Sequence, residues 1–426
     1  MEGLQTITVA DLGRVVTGKT PPTAKPHLFG DGYPFITPTD IGSPRYCEPR
    51  RQLSEQGRES QRNLLLPEKS ICVTCIASVG KMCITDRPSF TNQQINSVVV
   101  DESRHDPFFV YYLLQTQVEH LKAIAGGAAT PIINKTAFSE IEVSVPTLPI
   151  QRRIGAILSA YDELIENSQR RIKILETMAR ALYREWFVHF RFPGHEFVPR
   201  VPSPLGEIPK GWEAVPFEHL LASMSGGDWG SEQPEDRETE AVIVVRGTDF
   251  DEVAYGGQLR APVRYIKPTS LASRGLRSGD VIIENSINAK SRSVGTTLLV
   301  DEQVLTRLGQ DAIAASFCKV FRPHDRRVAP LIHLHARRLR EDARMEYYQN
   351  VAANGIANFQ AQKFSKEEHL VLPADQGERA RLLEPIGAMF KNVAVFASRI
   401  SNLRRTRDLL LPRLLSGQID VEAIPA

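Results

Sequence analysis

One apolar stripe occurs twice in this chain, and it constrains the fold more than any other feature. In steps of seven, Ile154, Tyr161, Ser168, Leu175 and Leu182 form one series, while Leu158, Ile165, Ile172, Ala179 and Trp186 form a second, four residues out of phase. Two such series lay a nearly continuous apolar seam along one side of a long helix, the pattern of a coiled coil. Near the C-terminus, Leu382, Met389, Phe396, Leu403, Leu410 and Ile386, Val393, Ile400, Arg407, Leu414 repeat the pattern, each series at an offset of 228 residues. The first copy must start after Pro149 and end before Pro193-Gly194, and at about 1.5 Å per residue it makes a rod of roughly 50 Å, a spacer as well as a packing element.

Two matching stripes in one chain, each behind its own block, favour antiparallel pairing within the chain over a dimer between chains. The predicted pairing face is Ile154, Leu158, Tyr161, Ile165, Ile172, Leu175 and Leu182 on the first helix. On the second it is Leu382, Ile386, Met389, Val393, Phe396, Ile400, Leu403 and Leu410. The stripes differ in shape, since small Ser168 and Ala179 correspond to Phe396 and Arg407.

The blocks between the stripes repeat as well. Residues 1–148 read as short strands broken by one helix, which Asp106 caps and Pro107 opens. Residues 212–375 mirror that order: Thr39-Asp40-Ile41 recurs as Thr248-Asp249-Phe250, Ser78-Val79-Gly80 as Ser293-Val294-Gly295, and the closing strands end at Pro146 and Pro373. The expected organisation is α+β: a first strand-rich domain (1–148), a central helix (149–191), a Pro/Gly-rich linker (192–211), a second strand-rich domain (212–375) and a C-terminal helix (376–417). Because the repeat preserves element order but changes most side chains, the two domains are expected to share a shape and differ in surface chemistry.

At 426 residues the chain fits two or three domains, and no stretch approaches a membrane span or a secretory leader, so a cytoplasmic protein without membrane contact is expected. Five sparse cysteines argue against a disulfide scaffold, and Cys72 and Cys75, in a β-like run, read as buried strand residues rather than zinc ligands; no metal site is expected. The net charge of +2 discriminates little; arginine-rich runs such as 337–340 and 404–407 are solvated helix faces or a side turned to nucleic acid.

Residues 13–20, GRVVTGKT, fit the P-loop expression. A P-loop needs a helix to start at its Lys-Thr pair so that the first amides face phosphate, and Pro21, Pro22 and Pro26 oppose that helix. A nucleotide hydrolase is therefore the alternative reading, and a coiled-coil scaffold without a DNA role is another. No nucleophile elbow, metalloprotease helix or adenine-methyltransferase tetrapeptide is present, so no catalytic residues are expected.

What remains are polar loops in comparable places of the two blocks. In the first they carry Gly18, Lys19, Thr20, Thr37, Thr39, Lys81, Asn92, Gln93, Gln94, Asn134 and Lys135. In the second they carry Arg246, Thr248, Asn285, Asn288, Lys290, Arg292, Asn354, Asn358, Gln360 and Lys363, with Gln310-Asp311 nearby. Asn and Gln can bond adenine bidentately, Arg and Lys can bond guanine, and Ser, Thr and Lys hold phosphate, which makes these the candidate DNA-binding residues.

Taken together, the chain resembles the DNA specificity subunits of type I restriction-modification systems. The resemblance rests on Thr17-Gly18-Lys19-Thr20-Pro21, on Ile36-Thr37-Pro38-Thr39-Asp40-Ile41, and on Asn134-Lys135 ahead of the strand ending at Pro146. It rests also on 148–154, LPIQRRI, opening the central helix, and on 411–417, LPRLLSG, near the C-terminus. Ile150, where the family more often has an acidic residue, and the degenerate 374–379 are departures. The resemblance implies two target recognition domains that each read half of a split sequence in double-stranded DNA, on helices that fix their separation. It implies no cofactor in this chain. Two methyltransferase subunits would carry S-adenosylmethionine and methylate adenine, and restriction/translocase subunits would bring ATP and Mg.

Overall fold

Leu148–Tyr183 form one continuous helix of 36 residues and Gln376–Leu415 another of 40. Asp375 starts the second by accepting the Glu378 amide at 2.7 Å, the capping interaction a helix N-terminus needs. The first widens at its end into a π-helical turn, Arg184–Val188. The structure is a computed structural model describing residues 4–42, 44–126, 130–288 and 294–421.

Two units make up the chain: Met1–Glu166 with Leu403–Ala426, and Asn167–Asn402. Each long helix is shared between the two units. An apolar seam that leans on a domain at one end becomes part of that domain's core.

In the first unit, Gly13–Thr17, Ile95–Val100, Ile71–Thr74 and Met82–Ile84 form an antiparallel sheet in that spatial order. A second sheet places Phe29–Ile36 between antiparallel Arg51–Leu53 and parallel Phe90–Thr91. Gln5–Thr8 pairs with Glu142–Val145. Helix Pro107–Thr116 begins as the sequence predicts, Asp106 accepting the Phe109 amide at 2.9 Å. Its apolar face, including Phe109 and Leu113, buries against Ile71 and Val98 of the sheet, Ile154 and Leu158 of the central helix and Leu414 of the C-terminal helix.

The second unit repeats this topology. Leu221–Gly226, Cys318–Pro323, Val281–Glu284 and Thr297–Leu299 form the four-stranded sheet; Val263–Ile266, Glu240–Val245 and Ala312–Ala314 form the three-stranded one, again with one parallel pair; Trp212–Pro216 pairs with His369–Pro373. It adds a sheet with no counterpart among the described residues of the first unit, in the order Ser286–Asn288, Ile356–Phe359, Gln349–Val351. The stretch 192–211 is more ordered than an open linker, because Arg200–Ser203 and Gly206–Pro209 close a hairpin.

Inside each unit the two long helices meet antiparallel. In the first unit Arg407 is ion-paired with Asp162, whose other carboxylate oxygen accepts the Tyr112 hydroxyl at 2.5 Å. In the second, the Arg171 guanidinium lies 5.5 Å from the Phe396 ring centre. Ile165, Ile172, Val393 and Ile400 are buried, whereas Tyr161, Leu175, Leu182, Met389, Phe396, Leu403 and Leu410 are only half-buried. Leu382 and Ile386, expected in the helix pair, join the apolar core of the second unit around Phe217, Phe321 and Phe364.

Candidate functional site

The polar loops of the first unit converge where strands 13–17, 29–36 and 90–91 end. Gly18 donates its amide to Ile95 O at 3.2 Å and Lys19 donates to Thr91 O at 3.0 Å, which lays residues 18–20 along the 92–94 turn. Only glycine fits at 18, because a Cβ there would meet Thr91 Oγ1 at 2.2 Å. Thr20 donates its hydroxyl to Gln93 Oε1 at 2.7 Å. Asn92 donates its amide to Ile36 O at 3.1 Å, which brings the 37–40 turn alongside. That turn closes on Asp40, whose Oδ2 accepts the Thr37 amide and hydroxyl at 2.8 and 2.7 Å. The backbone at Gln94 and Cys75, joined at 2.8 Å, adds the loop that carries Lys81.

The second unit builds the same frame from different residues. Gly227 N to Cys318 O (3.1 Å), Asp228 N to Ala314 O (2.9 Å), Ala315 N to Val245 O (2.9 Å) and Asn285 N to Phe317 O (2.7 Å) match the four backbone bonds just described, one for one. Gly227, like Gly18, has a carbonyl oxygen where a Cβ would stand, Ala315 O at 2.0 Å. The 246–249 turn copies 37–40, Asp249 Oδ2 accepting the Arg246 amide at 3.0 Å. Gly80 at φ +91° and Gly295 at φ +90° close the corresponding loops with matched bonds to Thr74 O and Glu284 O.

On this frame some candidate residues face solvent and others are committed to the fold. Lys19, Thr39, Lys81, Gln93, Lys135 and Thr248 are exposed, with Thr20 and Gln94 partly so. Asn92 is buried and grips Gln94 with both ends of its amide, so it shapes the turn rather than offering itself to a ligand. Asn134 caps helix Lys135–Ser139 through the Ala137 amide at 2.9 Å. Arg246 is spent on Asp249, with two bonds of 2.8 Å, and those hydrogen bonds raise its pKa above the usual arginine value. Asn354 Oδ1 accepts the Ile356 amide within a turn, Asn358 Oδ1 accepts the Ser286 hydroxyl at 2.6 Å, and Lys363 lies 3.5 Å over the Tyr347 ring. Gln360 precedes helix Ala361–Glu367 without capping it. Asn288 ends a strand of the added sheet, while Lys290 and Arg292 lie outside the described residues.

Sequence reasoning missed one pair of residues. The counterpart of Gln93-Gln94 is the exposed turn Ser316-Phe317, because insertions shift the local offset between the blocks.

No helix begins at Lys19; residues 18–22 have no regular structure, so the amide cradle of a P-loop is absent there. Burial pushes the Cys75 thiol up to about 11 and the Cys318 thiol up to about 12, so neither is a ready nucleophile. Cys47 and Cys83 lie 3.6 Å apart as free thiols. Among the described residues no helix is long and apolar enough to cross a membrane.

A family model, the type I restriction modification DNA specificity domain, matches residues 1–177. Among curated proteins, the chain is 31% identical over 226 residues to the MjaIX type I restriction enzyme specificity subunit of Methanocaldococcus jannaschii, a match covering 52% of each. It is 35% identical over 175 residues to the HindI specificity subunit of Haemophilus influenzae, covering 39% of this chain and 38% of that one. The chain thus spans about half the length, or less, of these curated relatives. Its fold is similar to that of the S subunit of a type I restriction-modification system from M. genitalium, with a TM-score of 0.57 at 15% identity over 97% of this chain and 96% of that one.

Proposed function

From residues 1–177, which belong to the type I restriction modification DNA specificity domain family, we propose that the whole chain is a non-catalytic specificity subunit that reads a split sequence in double-stranded DNA. The observation that carries this reading is the repeated backbone frame with different side chains on it. Lys19 in the first unit stands where the second has Asp228, which is held by Ser270 at 2.5 Å and Arg274 at 3.3 Å. Gln93-Gln94 stand where the second has Ser316-Phe317. A binder of one ligand twice over would keep its contacts; a reader of two different half-sites must change them.

In this proposal the first unit uses Lys19, Lys81 and Lys135 for phosphates and Gln93 and Gln94 for base edges. The second uses Thr248 and the loops of its added sheet. The long helices set the number of unread base pairs between the half-sites. Two methyltransferase subunits bearing S-adenosylmethionine would modify adenine within the bound sequence, and restriction/translocase subunits would supply ATP- and Mg-dependent cleavage, all in the cytoplasm.

Binding of the chain, assembled with its methyltransferase subunits, to a library of duplexes tests the proposal. The expected result is salt-dependent enrichment of one sequence with two defined blocks and an indifferent middle. Equal binding to all duplexes would leave a scaffold without a DNA role; ATP binding by the isolated chain, lost on Lys19→Ala, would favour the nucleotide-hydrolase alternative.

A further inference from the structure

The turn that opens the second long strand of each unit is built the same way and ends in opposite chemistry. In the first unit Ile95 N closes on Asn92 O at 3.2 Å around Gln93-Gln94; in the second Cys318 N closes on Ala315 O at 2.9 Å around Ser316-Phe317. The backbone on either side is fixed by matched bonds, so residues 94 and 317 occupy one position of one frame. At that position the first unit offers a carboxamide and the second a phenyl ring that is 63% exposed. Among the described residues, Phe317 joins none of the apolar clusters of its unit, although the next residue, Cys318, is buried in one. A ring left mostly in water at the tip of a two-residue turn contributes little to folding.

We propose that Phe317 is a specificity-determining residue of the second unit and reads thymine through its 5-methyl group in the major groove. This rests on the DNA-reading role proposed above. A phenyl ring has no hydrogen-bonding group, so it cannot distinguish bases by donors and acceptors as Gln93 and Gln94 can. The feature of a base edge that an apolar side chain can select is the thymine methyl, whose burial against the ring removes apolar surface from water on both sides. Ser316 and Thr248 are exposed hydroxyl residues of the same unit, able to hold the neighbouring DNA backbone.

Deoxyuridine, which lacks only that methyl, is the probe. The chain assembled with its methyltransferase subunits is titrated with a duplex of its recognition sequence in which each thymine is replaced by deoxyuridine in turn. One replacement in one half-site is expected to weaken binding roughly tenfold, within the usual cost of a mismatched pair. Phe317→Ala should weaken binding to the thymine duplex by a similar factor and be indifferent to that replacement, with an unchanged melting temperature. Gln93→Ala should affect the other half-site instead. The inference is overturned if no replacement affects the wild type, or if Phe317→Ala keeps the affinity and the sensitivity of the wild type. If the wild type shows no sequence preference at all, the DNA-reading proposal fails and takes the inference with it. A preference that survives Phe317→Ala unchanged sinks the inference alone.

Discussion

Arg407 is the polar residue that interrupts the second apolar stripe, and removing it should cost the first unit heavily. Its guanidinium pairs with Asp162, whose side chain is 8% exposed, and with exposed Asp408 at 2.8 Å. Burial alone would lower the pKa of Arg407, but the two carboxylates outweigh it and raise it above the ordinary arginine value. Tyr112 completes the network; its phenol is raised by burial and by Asp162 and so stays a donor at neutral pH. Arg407→Ala leaves a buried carboxylate with one neutral partner, and breaking a buried pair from one side costs about 3–5 kcal/mol. For a unit of this size that is a fall of roughly 6–20 °C in its melting temperature. Differential scanning calorimetry of the full chain reads the loss, and hydrogen exchange of helix Pro107–Thr116 assigns it to the first unit. Replacing the whole network by apolar groups, Tyr112→Phe with Asp162→Leu and Arg407→Met, should return the stability to within about 1–2 kcal/mol of the wild type, because no charge or hydroxyl is then stranded. A shift below about 2 °C for Arg407→Ala, or a triple variant as unstable as the single one, refutes the reasoning.

Three further outcomes follow from particular residues. His333 is buried with Nδ1 2.9 Å from the Thr297 hydroxyl, and burial lowers its pKa from 6.5 to about 3. Above pH 6.5 both states carry a neutral ring; as pH falls below that, the unfolded chain takes up a proton that the folded one refuses, so stability drops. Between pH 6.5 and 4.5 the second unit should lose about 2–3 kcal/mol, and His333→Gln should flatten that slope in melting temperature against pH. Lys19→Ala should weaken binding to all DNA sequences alike and make the salt dependence shallower by about one counterion, which a titration over several salt concentrations measures. Deleting residues 168–174 and 394–400 together removes about 10 Å of helix, so methylation-site mapping should show a spacer about three base pairs shorter, or no methylation; an unchanged spacer contradicts the ruler role.

The helices were legible because heptad periodicity is local: one offset of 228 residues carries Ile154 to Leu382 and Leu158 to Ile386. Arg407 could be seen to break the stripe, but its partner Asp162 lies 245 residues away, and no local pattern links them. The loops were less readable for a different reason. Insertions make the offset 209 at Thr37 and Arg246 but 223 at Asn92 and Ala315, while the backbone bonds stay in register. Phe317 was invisible as the partner of Gln94 for that reason. The local bonds of Asn134 and Arg246 did have signals in the sequence. A residue at an N-cap, and a long cation three residues before a carboxylate, are readily spent on their own backbone turn. Composition picks out polar loops; only geometry says which of their side chains remain available.

The central claim is that one chain carries two different readers on a single ruler. Genome-wide mapping of methylated adenine tests it most directly, in cells holding the partner methyltransferase with the wild-type chain, with Gln93→Ala and with no chain. Methylation is expected at one split motif, vanishing without the chain and relaxing in one half alone with Gln93→Ala. Methylation that persists without the chain, or a motif with no internal spacer, would contradict it.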